Sequence, residues 1–227
     1  MSMQAVEVRA PFARNRRNQF QAASPISAPG LFGPVAASLS FARDEEVYGE
    51  GEPAEYLYTV QSGCVRTSKI LNDGRRQIGA FYLPGDVFGL EAGDEHSFSA
   101  EALTATTVCM VKRAALTSRT ACDSAMASQL LKLTVAELDR TQSRVLLLIK
   151  SAQERVAGFL LEMASRNRTA NEIEFPMSRQ DIADYLGLTI ETVSRTLTHL
   201  ENNCVIALPT ARHVVLRNRA ALNRMNA

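Results

Sequence analysis

The sequence lacks the features that mark a membrane-spanning protein or a metal protein. Its longest apolar run, "RVLLLIK", is far shorter than the about 18 residues that a transmembrane helix needs, and the N-terminal residues show no apolar segment of a signal peptide. We therefore expect a cytoplasmic protein with no membrane partner. Only three histidines are present, His96, His199 and His213, and two of them lie near the C-terminus, so no histidine-rich metal site is expected.

Cysteine is scarce and irregularly spaced. The four cysteines are Cys64, Cys109, Cys122 and Cys204, and no two of them form a C-x-x-C pair. Neither a zinc site nor a disulfide framework is indicated, and free thiols in a reducing compartment are expected. G-x-S-x-G, P-loop and H-E-x-x-H motifs are also missing. Because no catalytic constellation can be assembled, we do not expect an enzyme.

The composition is typical of a globular protein, and the arginines of its C-terminal part are suited to binding anions. With 227 residues, 46% of them hydrophobic and 22% charged, the chain can form one large domain or two small ones with real cores. The net charge of +1 does not indicate a nucleic-acid partner. From Ser151 onward, however, there are nine arginines and no lysine. Arginine is suited to bidentate contacts with phosphate and guanine.

Patterning divides the chain into four parts. Residues 1–30 mix arginine with Pro, Ser and Ala without any period, which predicts a flexible arm. Residues 31–120 alternate strand-length segments such as "YLYTV" and "CVRTSKIL" with "NDG" and "PGD" turns, which predicts an antiparallel β-roll. Residues 121–150 are typical of one long helix, and residues 151–227 of a winged helix-turn-helix. The predicted fold class is therefore α+β.

The long helix carries one narrow stripe, here called the heptad stripe, whose residues recur at alternating steps of four and three. Its members are Leu131, Val135, Leu138, Gln142, Val145 and Ile149. This is the a/d spacing of a coiled coil, so the stripe predicts a homodimer interface. Packing of the same stripe against the chain's own roll is the alternative.

The C-terminal part shows two short helices with matched end signals. Ser178 is the expected N-cap of the first helix, with Asp181 at its third helical position, and Gly187 follows the helix. Thr189 is the expected N-cap of the second helix, "IETVSRTLTHLENN". The segments "CVIAL" and "HVVLRN" then predict a two-stranded wing.

In a helix-turn-helix the second helix enters the major groove with its N-terminal half. Glu191, Ser194 and Arg195 share one side of that helix and form the predicted recognition face. Arg195 can donate to O6 and N7 of guanine, and Glu191 can accept from the amine of the paired cytosine. The predicted phosphate contacts are Ser178, Arg179, Gln180, Thr189, Thr192 and Arg212. A mere i, i+4 ion pair between Glu191 and Arg195 is the competing interpretation.

These motifs together resemble those of the CRP/FNR regulators. "MSRQDIADYLGLTIETVSRTLTHLENNCVI" resembles the helix-turn-helix of that family, and "GEPAEYLYTVQSGCVR" and "YLPGDVFG" resemble its cyclic-nucleotide-binding-like roll. The resemblance implies a homodimer that binds inverted repeats in double-stranded DNA and works with RNA polymerase. The E-x-x-S-R pattern resembles the FNR/FixK branch, which implies a TTGAT-type half-site. Ile190 stands where cAMP receptor proteins carry an arginine, which argues against their half-site.

The resemblance also shows which sensors are missing. No arginine lies between Gly89 and Glu101 to bind a cyclic phosphate, and burying that phosphate without a cation would be costly. Cys109 resembles the roll ligand of the FNR iron–sulfur cluster, but residues 1–30 contain no cysteine, and one thiolate cannot hold a cluster that needs four. Cys109 is therefore interpreted as a buried apolar residue.

A FixK-like relay without a cofactor remains, controlled through its abundance. The resemblance implies that it activates genes of microaerobic respiration, denitrification or nitrogen fixation, and that the hairpin at residues 72–76 is a candidate polymerase contact. An effector-gated regulator that binds haem, NO or a small molecule in the roll is the alternative, with His96 as the nameable axial ligand. Cys204, between the second helix and the wing, is a candidate redox thiol.

Overall fold

The computed structural model describes residues 37–120, 123–147, 149–166 and 171–226. The predicted arm at 1–30 and Cys122 lie outside these residues. The described part begins with eight strands that form two four-stranded antiparallel sheets, in the orders β1-β8-β3-β6 and β2-β7-β4-β5. The strands are β1 (Ala37–Phe41), β2 (Glu46–Tyr48), β3 (Tyr56–Ser62), β4 (Val65–Ile70), β5 (Arg76–Tyr82), β6 (Val87–Phe88), β7 (Ser99–Ala102) and β8 (Thr106–Lys112). The predicted β-roll is confirmed.

The hairpin between β4 and β5 forms where the "NDG" signal predicts it. Gly74 has a φ of +82°, which a glycine adopts without the strain that a side chain would cause. The strands then pair from Ile70 with Arg76 to Val65 with Tyr82. At the end of β5 the side chains alternate: Ala80 and Tyr82 lie in the core of the roll, and Phe81 packs with the C-terminal part of the chain.

Aromatic rings fill the interior of the roll. Tyr58 and Phe88 stack with centroids 5.0 Å apart, and Tyr48 lies 5.5 Å from Tyr58. Phe88, Val65 and their neighbours are almost fully buried. Because close-packed interiors leave little free volume, the centre of the roll is a packed core.

Helices follow the roll. They are α1 (Arg113–Thr120), α2 (Ser124–Leu147) and α3 (Ala152–Arg166), and then α4 (Arg179–Leu186), α5 (Ile190–Asn202) and α6 (Arg219–Asn226). Helix α1 was not predicted and lies at the end of the segment 31–120 that the sequence assigns to the β-roll. Leu116 of α1 packs in a buried cluster with Leu57 and Val111, and Met126, Leu130 and Leu133 of α2 pack against that cluster. One face of α2 is thereby bound to the chain's own roll.

The wing is larger than expected. Strands β9 (Glu172–Glu174), β10 (Ile206–Ala207) and β11 (His213–Leu216) form one antiparallel sheet in the order β10-β11-β9. The two predicted strands pair with each other as β10 and β11. The third strand comes from the segment "EIEF", which precedes the helix-turn-helix and pairs with the other edge of β11. His213 lies opposite Glu174, and Val214 lies opposite Ile173.

The roll and the C-terminal part share one apolar core. Phe81 of β5 lies 5.1 Å from the Tyr185 ring of α4 and 6.4 Å from the Phe159 ring of α3, measured between ring centroids. Cys64, Ile78 and Leu103 of the roll belong to the same buried cluster. The C-terminal part is therefore packed directly on the roll.

Candidate nucleic-acid interface

Helix α4 starts at the predicted cap. Ser178 has extended backbone angles, and its side chain accepts a hydrogen bond from the Asp181 amide at 3.1 Å. The Asp181 carboxylate accepts from the Ser178 amide at 2.9 Å, which completes a capping box. Gly187 ends the helix with a φ of +63°, a left-handed conformation that favours glycine. The first half of the helix-turn-helix thus follows from local sequence.

Helix α5 is anchored by its apolar side. Thr189 caps it by accepting from the Thr192 amide at 3.2 Å. Val193, Leu197 and Leu200 are at most 3% exposed and form part of the shared core. With that side buried, the opposite side of the helix has to face outward.

The predicted recognition face lies on that outward side. Glu191 and Arg195 are exposed, and Ser194 is half-buried. Thr198 and Asn202, also exposed, continue the same side toward the C-terminus at steps of three and four. These two residues were not predicted, although their spacing from Arg195 places them on the same side of the helix. The outward surface of α5 that could contact DNA is therefore longer than the predicted recognition face of three residues.

Glu191 and Arg195 do not form the competing ion pair in the described structure. The Nε atom of Arg195 instead donates to the backbone carbonyl of Glu191, 3.4 Å away. The pKa of Glu191 is lowered by hydrogen bonds from its own amide and from the Thr189 hydroxyl, and the charge of Arg195 contributes further. Glu191 is therefore an anionic acceptor at neutral pH, and the guanidinium of Arg195 keeps donors for another partner.

The predicted phosphate contacts surround α4, α5 and the wing. Gln180, Thr189 and Arg212 are exposed, and Arg179 and Thr192 are half-buried. Gln180 donates to Asp184 at 2.6 Å, and the hydroxyls of Thr189 and Thr192 lie 3.1 Å apart. These assignments remain predictions.

Ser178 differs from the other predicted phosphate contacts. Both its amide and its hydroxyl donate to the Asp181 carboxylate, at 2.9 Å and 2.7 Å. A phosphate could accept from Ser178 only if one of these bonds were exchanged. The capping box therefore gives Ser178 a structural role before any role in binding.

The heptad stripe lies on the side of α2 that faces away from the roll. The side chains of Leu131, Val135, Leu138 and Val145 are between 54% and 64% exposed, and Ile149, which follows the helix, is 85% exposed. Gln142 is also exposed. The alternative that the stripe packs on the roll was wrong, because Leu130 and Leu133 on the other face make that contact. The stripe is an apolar surface without a partner in the single described chain.

The loop between β6 and β7 is packed against the rest of the roll. Arg113 donates to the backbone carbonyls of Ala54, Glu91 and Gly93 at 2.8 to 2.9 Å, which fixes the loop between β6 and β7. His96 lies in this loop, as the sequence suggested, but it is only 3% exposed, and its ring stacks on Tyr48 with centroids 3.5 Å apart.

The described cysteines differ in their surroundings. Cys109 is buried, as predicted, and burial raises the pKa of its thiol. The pKa of the Cys64 thiol is raised to about 12, and burial is the largest of several causes. Cys204 is exposed and has a φ of +57°, directly after the cap residue Asn203. Its redox role remains a prediction.

No group of three His, Cys, Asp or Glu within the described ranges is arranged to hold a metal ion.

A two-sheet roll followed by a winged helix-turn-helix defines a class, the two-domain DNA-binding regulators. Residues 38–120 match the cyclic nucleotide-binding domain family, and residues 154–225 match the Crp-like helix-turn-helix domain family. None of the described helices is both long and apolar enough to span a bilayer.

Comparison with known proteins narrows the class. The chain is 49% identical to the nitrogen fixation regulation protein FixK of Azorhizobium caulinodans, covering 91% of this chain and 85% of that protein. It is 39% identical to the protein of the same name from Rhizobium meliloti, covering 89% and 90%. The solved structure of FixK2 from Bradyrhizobium japonicum has a TM-score of 0.81 and 52% identity, covering 85% of this chain and 98% of that one. The chain belongs to the CRP/FNR family of transcription regulators and is similar to the FixK proteins of that family, so the predicted resemblance is confirmed.

Proposed function

We propose that this protein is a homodimeric transcription activator that reads a TTGAT-type inverted repeat. The observation that carries the proposal is the outward side of α5, where Glu191, Ser194 and Arg195 stand together on a helix anchored by buried apolar residues. Arg195 would donate to a guanine and Glu191 would accept from the paired cytosine, so that one base pair is read from both strands. Ser194 would contact a neighbouring base.

The second copy would dock on the heptad stripe. Four half-exposed apolar side chains in a row favour burial, and their a/d spacing matches an identical helix. Gln142 is the polar member of the stripe, and a polar residue at one such position favours a single register between two strands. A two-fold dimer would present two recognition helices to the two halves of an inverted repeat.

The regulatory setting follows from the relatives. FixK proteins are named for the regulation of nitrogen fixation. The chain is also 35% identical to the transcriptional activator protein Anr of Pseudomonas protegens, covering 73% of this chain and 70% of that protein. We therefore expect cytoplasmic activation of genes for oxygen-limited respiration, denitrification or nitrogen fixation, by binding and not by catalysis. The exposed turn at Asp73 and Arg75 is the proposed contact with RNA polymerase.

Control would not depend on a cyclic nucleotide or haem. The aromatic rings of Tyr48, Tyr58 and Phe88 fill the roll, and Arg113 is committed to backbone carbonyls. His96 is stacked on Tyr48 and only 3% exposed, so its ring nitrogens are not accessible to a haem iron. Control through the abundance of the protein fits this arrangement better than control by an effector.

Selection of bound sequences from random duplex DNA, run in parallel under air and under argon, tests the proposal. We expect an inverted repeat with TTGAT-type half-sites and the same enrichment in both atmospheres. Failure to prefer any inverted repeat over bulk DNA would contradict DNA reading by a dimer. Enrichment only under argon would contradict control without an oxygen-sensitive group.

A further inference from the structure

A group of charged residues, one of them buried and three half-buried, joins the roll to the first helix of the helix-turn-helix. Arg66 of β4 donates to Asp181 of α4 at 2.6 Å, and Arg76 of β5 donates to the same carboxylate oxygen at 2.7 Å. Arg76 also binds Asp184 at 2.7 Å. The Gln77 amide donates to the Asp184 carbonyl at 2.8 Å, so the contact continues along β5. We call these two arginines and two aspartates the α4 latch.

The latch constrains direction as well as distance. The side chain of Asp181 is 6% exposed, that of Arg66 is 12% exposed and that of Arg76 is 27% exposed. Arg66 uses its second terminal nitrogen to hold Glu101 of β7 at 2.8 Å. A planar guanidinium that binds two partners permits few orientations. Because these groups are largely shielded from water, breaking one of the charge-assisted hydrogen bonds costs free energy that solvent does not restore.

Asp181 couples the latch to the start of α4. The same carboxylate that binds Arg66 and Arg76 accepts the amide of Ser178 in the capping box. The N-terminus of α4 is where the first helix of such a motif crosses the DNA backbone. A displacement of β4 or β5 would therefore shift the DNA-facing end of α4.

The roll is also attached to the dimerisation helix. Leu130 and Leu133 of α2 pack on the roll, and Arg140 of α2 lies 3.5 Å from Asp86. Asp86 also binds Arg166 of α3. The roll thus contacts both α2 and the helix-turn-helix, in addition to the direct contact between Arg144 of α2 and the Tyr185 ring of α4, 4.6 Å from the ring centroid.

We propose that Arg66 and Arg76 are positioning residues that set the spacing between the two DNA half-sites. This inference rests on the proposed function, because it needs a dimer that reads an inverted repeat. One added base pair moves a half-site by about 3.4 Å and turns it by about 35°. With both arginines in place the helix-turn-helix keeps one orientation on the roll and cannot follow that change. Without them the shared apolar core still attaches it, but apolar contacts are non-directional and allow it to turn.

The test uses the full-length dimer and a series of inverted repeats whose spacer differs by one base pair at a time. The wild-type chain should bind one spacer length at least about tenfold more tightly than spacers one base pair shorter or longer. The reason is that, on a wrong spacer, the second recognition helix has a lower effective concentration at its half-site. The double variant Arg66→Gln/Arg76→Gln should lose most of that preference and bind neighbouring spacings within about threefold of one another. Asp181 is left intact because it also caps α4.

Arg43→Gln is the matched control. Arg43 lies in the turn between β1 and β2, is 59% exposed and pairs with the neighbouring Asp44 at 3.4 Å. Its loss removes one positive charge without touching α4, so the spacing profile should stay that of the wild type. Binding to a duplex with a single half-site should be the same for all three proteins.

Each result decides the question. A wild-type spacing profile in the double variant would overturn the positioning role. Loss of single half-site binding in that variant would overturn it too, because the arginines would then maintain the fold of α4 and not its placement. If the wild-type chain itself shows no preference for any inverted repeat, the proposed function fails, which is a different outcome from failure of the latch.

Discussion

Replacing Leu138 with aspartate should separate the dimer. Leu138 lies at the middle of the heptad stripe and is 56% exposed in the single chain. Complete burial of a leucine side chain contributes about 1.5–3 kcal/mol. Covering the exposed part of this residue therefore contributes about 0.8–1.7 kcal/mol per chain, or about 1.7–3.4 kcal/mol for a symmetric pair.

Aspartate removes this contribution and adds a repulsion. The two new carboxylates would face each other across the two-fold axis, where a desolvated like-charge pair is unfavourable. The dissociation constant of the dimer should rise at least about 100-fold, which corresponds to about 2.7 kcal/mol. Affinity for the inverted repeat should fall with it, because a monomer contacts one half-site only.

Sedimentation velocity over a series of protein concentrations measures the effect directly. Gln129→Asp is the control, since Gln129 is an exposed residue of the same helix away from the stripe and the substitution makes the same change in charge. Circular dichroism should show that both variants are folded. If Leu138→Asp dimerises as tightly as the control, the heptad stripe is not the interface and the reasoning from its spacing is refuted.

Further predictions concern the recognition helix, its C-terminal cap and acid stability. Arg195→Ala should cost about 1–3 kcal/mol on the cognate repeat and relax selection at the guanine, whereas Arg179→Ala should weaken all duplexes alike in a titration at several salt concentrations; equal losses on all sequences for Arg195→Ala would refute base reading. Cys204→Gly should raise the free energy of unfolding by about 0.5–1 kcal/mol in urea, because glycine relieves a left-handed φ of +57°, and no gain would mean that the cap tolerates the side chain. Peroxide should weaken DNA binding of the wild-type chain but not of Cys204→Ser if that thiol is regulatory. Burial alone would raise the pKa of Asp181, but hydrogen bonds from Ser178 and the charges of the nearby arginines lower this pKa overall. The contribution of Asp181 to stability should therefore be present above about pH 3.9 and be lost as the pH falls below that value. Asp181→Asn should remove this part of the acid transition.

Much of the binding surface follows from short-range rules in the sequence. Ser178 and Gly187 bound α4 because a side-chain acceptor and a left-handed residue satisfy the free backbone groups at helix ends, and both act within a few residues. The recognition face and the heptad stripe follow from the same helical period, which places residues three and four apart on one side. Their exposure in the single chain agrees with that period.

Other features were decided by the tertiary structure. Arg66 and Arg76 meet Asp181 across 115 and 105 residues, and nothing in the spacing of "CVRTSKIL" indicates that partner. The third strand of the wing and the burial of His96 are of the same kind, since each depends on which distant segment the topology brings alongside. Local hydrogen bonds and periodicity determine what each helix presents to its surroundings. Only the packing of the roll against the C-terminal helices determines where those surfaces stand relative to one another.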